Sequence, residues 1–486
     1  MRPKILLTGA AMLLGTTPAL ADTLQEALAK AYGSNPTLAA ARADVRATDE
    51  NVPIARAAGR PDAAVNGSYT ENFLNSPGIQ NSFSAPERQV VGQINVTVPL
   101  LTFGAVRGAV RAAEGRSAAA RYNLRGVEAD LFTSVVSAYM DVIRDDAIVA
   151  LNTENVRVLE TTLKANNDRF RVGDASPTDV AQSRARLSLA RAQLQTAQGR
   201  LISSRETYVR LVGNAPGTLA PPPQLPNLPA SLDAAIEMAL RDNPNLLAAQ
   251  RSRDATAGDV QAARAATAPR INGVLGGNYY DYLGSLRENL FSRTFQASST
   301  ASAGIELRVP LYQGGRPAAQ VRQAQARRTQ AMEQVFEAER VVIAQVRSAY
   351  GVWQSSQKVI ASSEEGVAAN RQSVEGVRAE NYAGSRTMLD VLNASQELLS
   401  AEVTLITARR DAYVAAFALV AAMGRAGAQD LGLGVPLYDP LVNYDRVRGR
   451  ISDYAADPEP APSSTSTTGM PAQDATTTGV LGSPRP

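Results

Sequence analysis

The sequence predicts a mostly α-helical protein that contains one structural unit twice, with a pair of β-strands in each copy. Residues 24–61 read like residues 232–269, and the Asn-Pro turn at Asn35 recurs at Asn243. Long heptad series indicate coiled-coil helices, and short segments that alternate apolar and polar residues indicate strands. A duplication of this length predicts the same order of elements in both copies.

Residues 1–21 have the composition of a secretory signal peptide. Arg2 and Lys4 supply the positive start, an apolar run follows, and residues 19–21 end it in A-x-A form. We expect cleavage after Ala21. The rest of the sequence has no apolar run long enough for a spanning helix. The mature chain is therefore expected to be periplasmic, secreted or a membrane β-barrel.

The composition excludes several kinds of chemistry. The chain has no cysteine and no histidine, which removes disulfides, Cys/His metal sites and any Ser-His-Asp triad. We expect no metal, no cofactor and no enzymatic activity; a hydrolase using carboxylates stays as an alternative, although no paired-acid site is visible. The formal charge of +3 gives no reason to expect nucleic acid as a partner.

Each copy begins with a short amphipathic helix that ends at an Asn-Pro pair. A second helix starts at the proline of this pair and ends before another proline. Alternating segments follow and predict four strands. Their expected ranges are 63–73, 93–100, 271–283 and 305–311.

A long helical hairpin follows each strand pair. Residues 104–171 contain no proline, and at ~1.5 Å per residue this helix would extend on the order of 100 Å. Apolar residues recur every seven positions from Val135 to Phe170, and again from Val346 in the second copy. Heptads sustained over this length indicate coiled-coil seams. By themselves they favour a rod-like scaffold as much as any other function.

The four strands cannot close a barrel alone, and open strand edges are not tolerated in hydrocarbon. Three chains would supply twelve strands, which lies within the range of outer-membrane barrels. The alternative is a small soluble sheet in a periplasmic protein.

These motifs together resemble those of TolC-like outer-membrane efflux channels. The matching segments are the Asn-Pro turns (SNPTL and DNPNL), VPLYQGGR at 309–316, RFRVGDASPTDVAQSRARL at 169–187 and YAGSRTMLDVLNASQELLSAE at 382–402. The resemblance implies a homotrimer in the outer membrane of a Gram-negative bacterium. Its twelve-stranded β-barrel, with four strands per chain, would continue into a long periplasmic α-helical coiled-coil tunnel.

The resemblance also implies a function and partners. The trimer would be the passive exit duct of a tripartite efflux or type I secretion system, with a periplasmic adaptor, an inner-membrane pump and outer-membrane lipid as partners. The other candidate is a periplasmic coiled-coil scaffold or adaptor without a pore. Adaptors usually carry one hairpin rather than a duplicated set with four strands, so the repeat argues against it.

The domain organisation follows from the repeat and from composition. Gly/Pro-rich residues separate the copies, and the end of the chain lacks apolar residues to bury. The expected divisions are a signal peptide (1–21), a first repeat (22–213), a Pro-rich linker (214–230), a second repeat (231–427), a C-terminal segment near the tunnel equator (428–456) and a disordered tail (457–486).

By resemblance, the tunnel closes at a ring of Asp390, one carboxylate per subunit. The second acidic position of the family pattern falls at Asn393, so we expect one acidic ring rather than two. Thr387 and Asp390 also form a capping-box pattern at a helix start, as Ser176 and Asp179 do. The capping and pore roles are compatible.

The resemblance also places polar links between the hairpins, which would hold the gate shut. They map to Asp179 and Arg386, although Arg386 could equally be a solvated loop residue. The tyrosine of the family pattern is replaced by Asn381, with Tyr382 one residue further on. Either residue is a candidate for that contact.

Gly173 and Gly384 mark the predicted hairpin tips. Both fit helix C-cap positions, where glycine adopts a left-handed conformation. By resemblance the same tips would contact the adaptor.

Overall fold

The computed structural model describes residues 22–73, 86–226, 228–285 and 295–477, so the predicted signal peptide lies outside the described residues. Within these ranges the chain forms ten α-helices and four β-strands in the duplicated order that the sequence predicts. The first copy comprises α1 (Leu24–Ser34), α2 (Pro36–Asp49), α3 (Asn51–Ala57), β1 (Asp62–Glu71), β2 (Arg88–Leu101), α4 (Ala105–Arg171) and α5 (Pro177–Val212). The second comprises α6 (Leu232–Asp242), α7 (Pro244–Arg264), β3 (Arg270–Asp281), β4 (Ala297–Arg308), α8 (Arg316–Tyr382) and α9 (Met388–Ala422), and α10 (Leu441–Val447) follows it.

The repeated Asn-Pro turn fastens each pair of short helices to the end of its hairpin. Asn35 caps α2 by accepting a hydrogen bond from the Thr37 amide at 2.9 Å, while its side-chain amide donates to the Leu211 carbonyl at 2.9 Å. Asn243 donates in the same way to the Ala422 carbonyl at 2.9 Å. Both asparagines are buried. Each asparagine therefore supplies hydrogen bonds to the first turn of one helix and to the last turn of another. Without it, these backbone groups would be unpaired.

The four strands form one antiparallel sheet in the order β1-β2-β3-β4, and the β2–β3 pair joins the two copies. The register aligns polar residues across the sheet on one face. Asn66 pairs with Gln93, Gln93 with Asn278, and Asn278 with Thr300. Because side chains alternate along a strand, the adjacent rows lie on the opposite face.

The opposite face of the sheet is apolar and open. Val65, Ile94, Leu275 and Ile305 lie on it, between 50% and 76% exposed in the protomer. One apolar face and one polar face across all four strands is the pattern of a membrane barrel wall.

The fourth strand differs from the prediction. We expected it at 305–311, but β4 ends at Arg308. Arg308 pairs with Arg270, the first residue of β3, so Val309 and Leu311 continue the sequence pattern beyond the paired part of the sheet. Pro310 also has no N–H to donate to a ladder.

The long helices pack as two antiparallel hairpins, α4 with α5 and α8 with α9. The predicted seams are buried along much of their length: Val135, Val149 and Val346 are at most 2% exposed. The seam weakens toward the tip, where Phe170 is 46% exposed. No helix within the described ranges is both long and apolar enough to cross a bilayer.

The two copies meet where α4 crosses α7, at a pair of glycines. A Cβ on Gly108 would lie 2.6 Å from the Ala262 backbone nitrogen, and one on Gly258 would lie 2.6 Å from the Gly108 carbonyl oxygen. The backbones touch directly, so only glycine fits at either position.

The segment after α9 packs against α2 and α4. The Glu128 carboxylate accepts a hydrogen bond from the Ala428 amide at 2.5 Å, and Asn443 donates to the buried Asp49 at 3.1 Å. Burial raises the pKa of Glu128 above its usual range.

Candidate functional site

Both hairpin tips are closed by glycine in a left-handed conformation, with φ of 83° at Gly173 and 80° at Gly384. The Gly173 amide donates to the Phe170 carbonyl at 3.1 Å, and the Asp174 amide donates to the Arg169 carbonyl at 2.9 Å. The second tip repeats both hydrogen bonds. This is a Schellman motif, so each glycine ends a helix as the sequence predicts.

Each tip also carries an ion pair within its own hairpin. Arg169 Nε lies 2.9 Å from Asp174 Oδ2, and Arg386 Nε lies 2.9 Å from Glu380 Oε2. All four side chains are about half-exposed or more. Pairs of this kind contribute only ~0.2–1 kcal/mol, so they can exchange partners at little cost.

The return helices begin with matching capping boxes. Thr387 donates from its amide and its hydroxyl to Asp390 Oδ2, at 3.0 and 2.7 Å. Ser176 donates to Asp179 Oδ2 in the same way, at 3.0 and 2.8 Å. These hydrogen bonds lower the pKa of both carboxyls. The predicted caps are confirmed, and in each the second carboxylate oxygen takes no part.

The protomer does not bring Asp179 and Arg386 together. Among the described residues, Asp179 is held by its own cap and Arg386 pairs with Glu380. Asn381 donates to the Arg386 carbonyl at 2.8 Å and so supports the loop, whereas Tyr382 is 92% exposed.

A direct polar link between the hairpins lies three residues beyond Asp390, at Asn393. Arg186 on α5 donates to the side-chain oxygen of Asn393 on α9 at 2.7 Å. Sequence reasoning singled out Asn393 but missed Arg186. No sequence signal marks this arginine, because its partner depends on how the two hairpins lie side by side.

An apolar contact accompanies this hydrogen bond. Leu392 on α9 is 6% exposed and packs in a cluster with first-hairpin residues. These are Val156, Leu159, Leu187 and Ala190. We call this contact the hairpin junction. It comprises Leu392 and Asn393 of the second hairpin, and Arg186 and the Leu187 cluster of the first.

A cavity separates the hairpins next to the junction, and they meet again further along, where Arg410 on α9 pairs with Asp141 on α4 at 2.8 Å. The cavity, of about 540 Å³, opens between α4, α5 and α9. Its walls include Ile148, Asn152, Gln193, Ala197, Leu399 and Val403. The junction therefore holds the second hairpin against the first over a short length only.

The site offers no set of ligands for a metal. Within the described ranges, no three acidic side chains converge as a metal centre would require. The arrangement can act electrostatically, through its capped carboxylates, and mechanically, through a contact that can separate.

Comparison with known proteins matches the chain to one family. The family described as "Outer membrane efflux protein" matches residues 27–214 and 235–425, one segment in each copy. The chain is 33% identical over 453 residues to the outer membrane efflux protein BepC of Brucella suis biovar 1, covering 92% of this chain and 96% of that protein. It is 25% identical to the outer membrane protein TolC of Escherichia coli K12, with 91% and 92% covered.

Solved structures share the fold. The outer membrane protein VceC of Vibrio cholerae aligns with a TM-score of 0.70 at 23% identity, covering 82% of this chain and 96% of that one. The CmeC outer membrane channel of Campylobacter jejuni aligns with a TM-score of 0.71 at 16% identity, covering 92% and 98%.

Proposed function

The chain belongs to the outer membrane efflux protein family, and from that premise we propose that the hairpin junction and Asp390 together control the periplasmic end of its duct. The protein is an outer-membrane exit duct, with a trimeric barrel in the membrane and a helical tunnel in the periplasm. Members of the family are channels rather than enzymes, and they work with adaptors and inner-membrane pumps.

The observation that carries the proposal is the hairpin junction itself. Leu392 is buried against the first hairpin, and Asn393 accepts from Arg186 at 2.7 Å. A tunnel of three such hairpin pairs narrows where the second hairpins are held and widens when they are released. The contact is small, so a partner protein can open it.

Asp390 lies less than one turn before the junction, at the start of the same helix. Its cap uses Oδ2 and keeps the carboxylate ionised. Three such carboxylates around a narrow opening would attract cations and repel anions. The next acidic position of the family pattern is the neutral Asn393, engaged with Arg186, so the ring has a single layer.

The links predicted for Asp179 and Arg386 would form between protomers. Arg386 would leave Glu380 for the neighbouring Asp179, an exchange between two exposed pairs of similar strength. Tyr382, which is 92% exposed, is available for the same interface. We expect Arg386→Ala to raise the conductance of the closed duct; an unchanged value would remove these links from the gate.

The tips at Gly173 and Gly384 would receive the adaptor. They lie at Schellman turns, and, among the described residues, nothing lies within 4 Å of a Cβ built on either glycine. The duct would then pass on what the pump and adaptor deliver, in efflux or in type I secretion.

Single-channel recording of the mature trimer in planar bilayers tests the proposal. We expect a small cation-selective conductance that loses its selectivity in Asp390→Asn. Asp174→Asn is the control, because it removes an exposed carboxylate from the first hairpin tip and Asp174 takes no part in the proposed gate links. Equal loss of selectivity in both variants, or in neither, would show that Asp390 does not form a selective ring.

A further inference from the structure

Residues 457–477, which lie in the predicted tail and are called the C-terminal segment from here on, return along the first hairpin after α10. Asp457 pairs with Arg446 at 2.8 Å and with Arg450 at 3.0 Å. Thr465 then passes beside Gly213, where α5 ends. The segment therefore runs from the C-terminal helix to the return helix of the first hairpin, although it has no regular secondary structure.

The contact with α5 centres on Arg205. Its guanidinium donates to the Asp474 carbonyl at 2.8 Å, to the Thr476 carbonyl at 2.7 Å and to the Asp474 side chain at 3.2 Å. The neighbouring Glu206 accepts from the Gln473 amide at 2.9 Å. Three of these four contacts use the peptide backbone of the segment, so the site holds an extended chain.

Arg205 is an unusual residue for its position. It lies between Leu201 and Tyr208 on the buried seam of α5, and its side chain is 6% exposed. Its ion pair with Asp146 on α4 is long, at 3.5 Å. A buried guanidinium is costly unless its donors find acceptors, and the C-terminal segment supplies the shorter contacts.

The second copy shows that the hairpin does not need this charge. The positions equivalent to Arg205 and Asp146 are Ala416 and Gln357, by the same offset that relates Gly173 to Gly384. Phe417 replaces Glu206 there and is 1% exposed. The polar site thus belongs to the first hairpin alone, where the C-terminal segment lies.

We propose that Arg205 and Glu206 form a peptide-binding site whose ligand is the chain's own residues 471–477. The site recognises the backbone carbonyls of an extended segment, and the tether through α10 keeps the ligand close. The docked segment straps the first hairpin to the C-terminal helix. The composition of residues 457–486 predicts disorder, whereas the proposal predicts that residues 471–477 are held in place. The mobility of the segment distinguishes these two predictions.

The absence of cysteine allows a clean test. A nitroxide spin label on Ala472→Cys, an exposed position, reports how freely the segment moves in the detergent-extracted trimer. We expect an immobilised spectrum in the otherwise unchanged chain. Arg205→Ala combined with Asp146→Gln should give narrow lines of a mobile segment, since it copies the uncharged pair of the second hairpin and leaves no buried carboxylate behind.

Arg210→Ala is the matched control, because Arg210 is an exposed arginine further along the same helix. It should keep the label immobilised. Size-exclusion chromatography confirms that each variant remains trimeric. A mobile label in the unchanged chain, or an immobilised label in the double variant, would overturn the proposal.

Discussion

Truncating Leu392 should loosen the gate more than any change at the exposed surface of the tips. Leu392 is the one second-hairpin residue buried in the cluster formed by Val156, Leu159, Leu187 and Ala190. Leu392→Ala removes its side chain from that cluster without altering any charge. The closed state loses the contact, whereas the open state has already released it.

The magnitude follows from burial. Leu392 is 6% exposed, and burying a leucine contributes ~1.5–3 kcal/mol. Leucine-to-alanine changes in complete cores cost more, about 2–5 kcal/mol, because a cavity remains. The junction is small and adjoins an open cavity, so we take about 2 kcal/mol per protomer. At about 1.4 kcal/mol for each factor of ten, the ratio of closed to open should fall roughly 30-fold for each junction, and the effects of the three junctions multiply when they open together.

The assay is the open probability of single channels in planar bilayers, measured for the unchanged protein and for Leu392→Ala. Leu389→Ala is the control, since Leu389 lies on the same helix and is 37% exposed. We expect it to change the open probability several-fold less. If Leu392→Ala leaves the open probability unchanged, or if both variants raise it equally, the junction does not hold the duct closed.

Three further predictions address the same structure. Arg186→Ala removes one half-exposed hydrogen bond, worth ~0.5–1.5 kcal/mol, so it should raise the open probability by less than Leu392→Ala does. In the same recordings, the control Arg184→Ala should leave the open probability unchanged. The hydrogen bonds that lower the pKa of Asp390 favour its charged form, whereas the other two carboxylates of the ring oppose it. Cation selectivity, read from reversal potentials, should therefore be full at neutral pH and disappear as the pH falls through the pKa of the ring. Gly108→Ala forces a Cβ against a backbone nitrogen and should destabilise the fold by ~1–3 kcal/mol. The unfolding temperature of the trimer should therefore fall, whereas Gly199→Ala, at a glycine with open space around it, should leave this temperature unchanged.

Much of the fold could be predicted from local rules. The heptad seams, the Asn-Pro turns and the capping boxes of Asp179 and Asp390 depend on residues within a few positions of one another. So do the left-handed glycines at the tips, Gly173 and Gly384. The end of β4 does not follow from such a local rule, because the alternation continues past Arg308 whereas β3, its partner, begins at Arg270.

The tertiary structure alone decided which residues meet across the hairpins. Arg186 and Asn393 are distant in sequence and share no motif, and Gly108 touches α7 only because two helices cross there. The same holds for Arg205, whose burial is compatible with its charge because the end of the chain lies against it. Periodicity determines which face of a helix is buried, but the lateral and axial positions of two helices depend on all their contacts together, and no short segment of sequence contains that information.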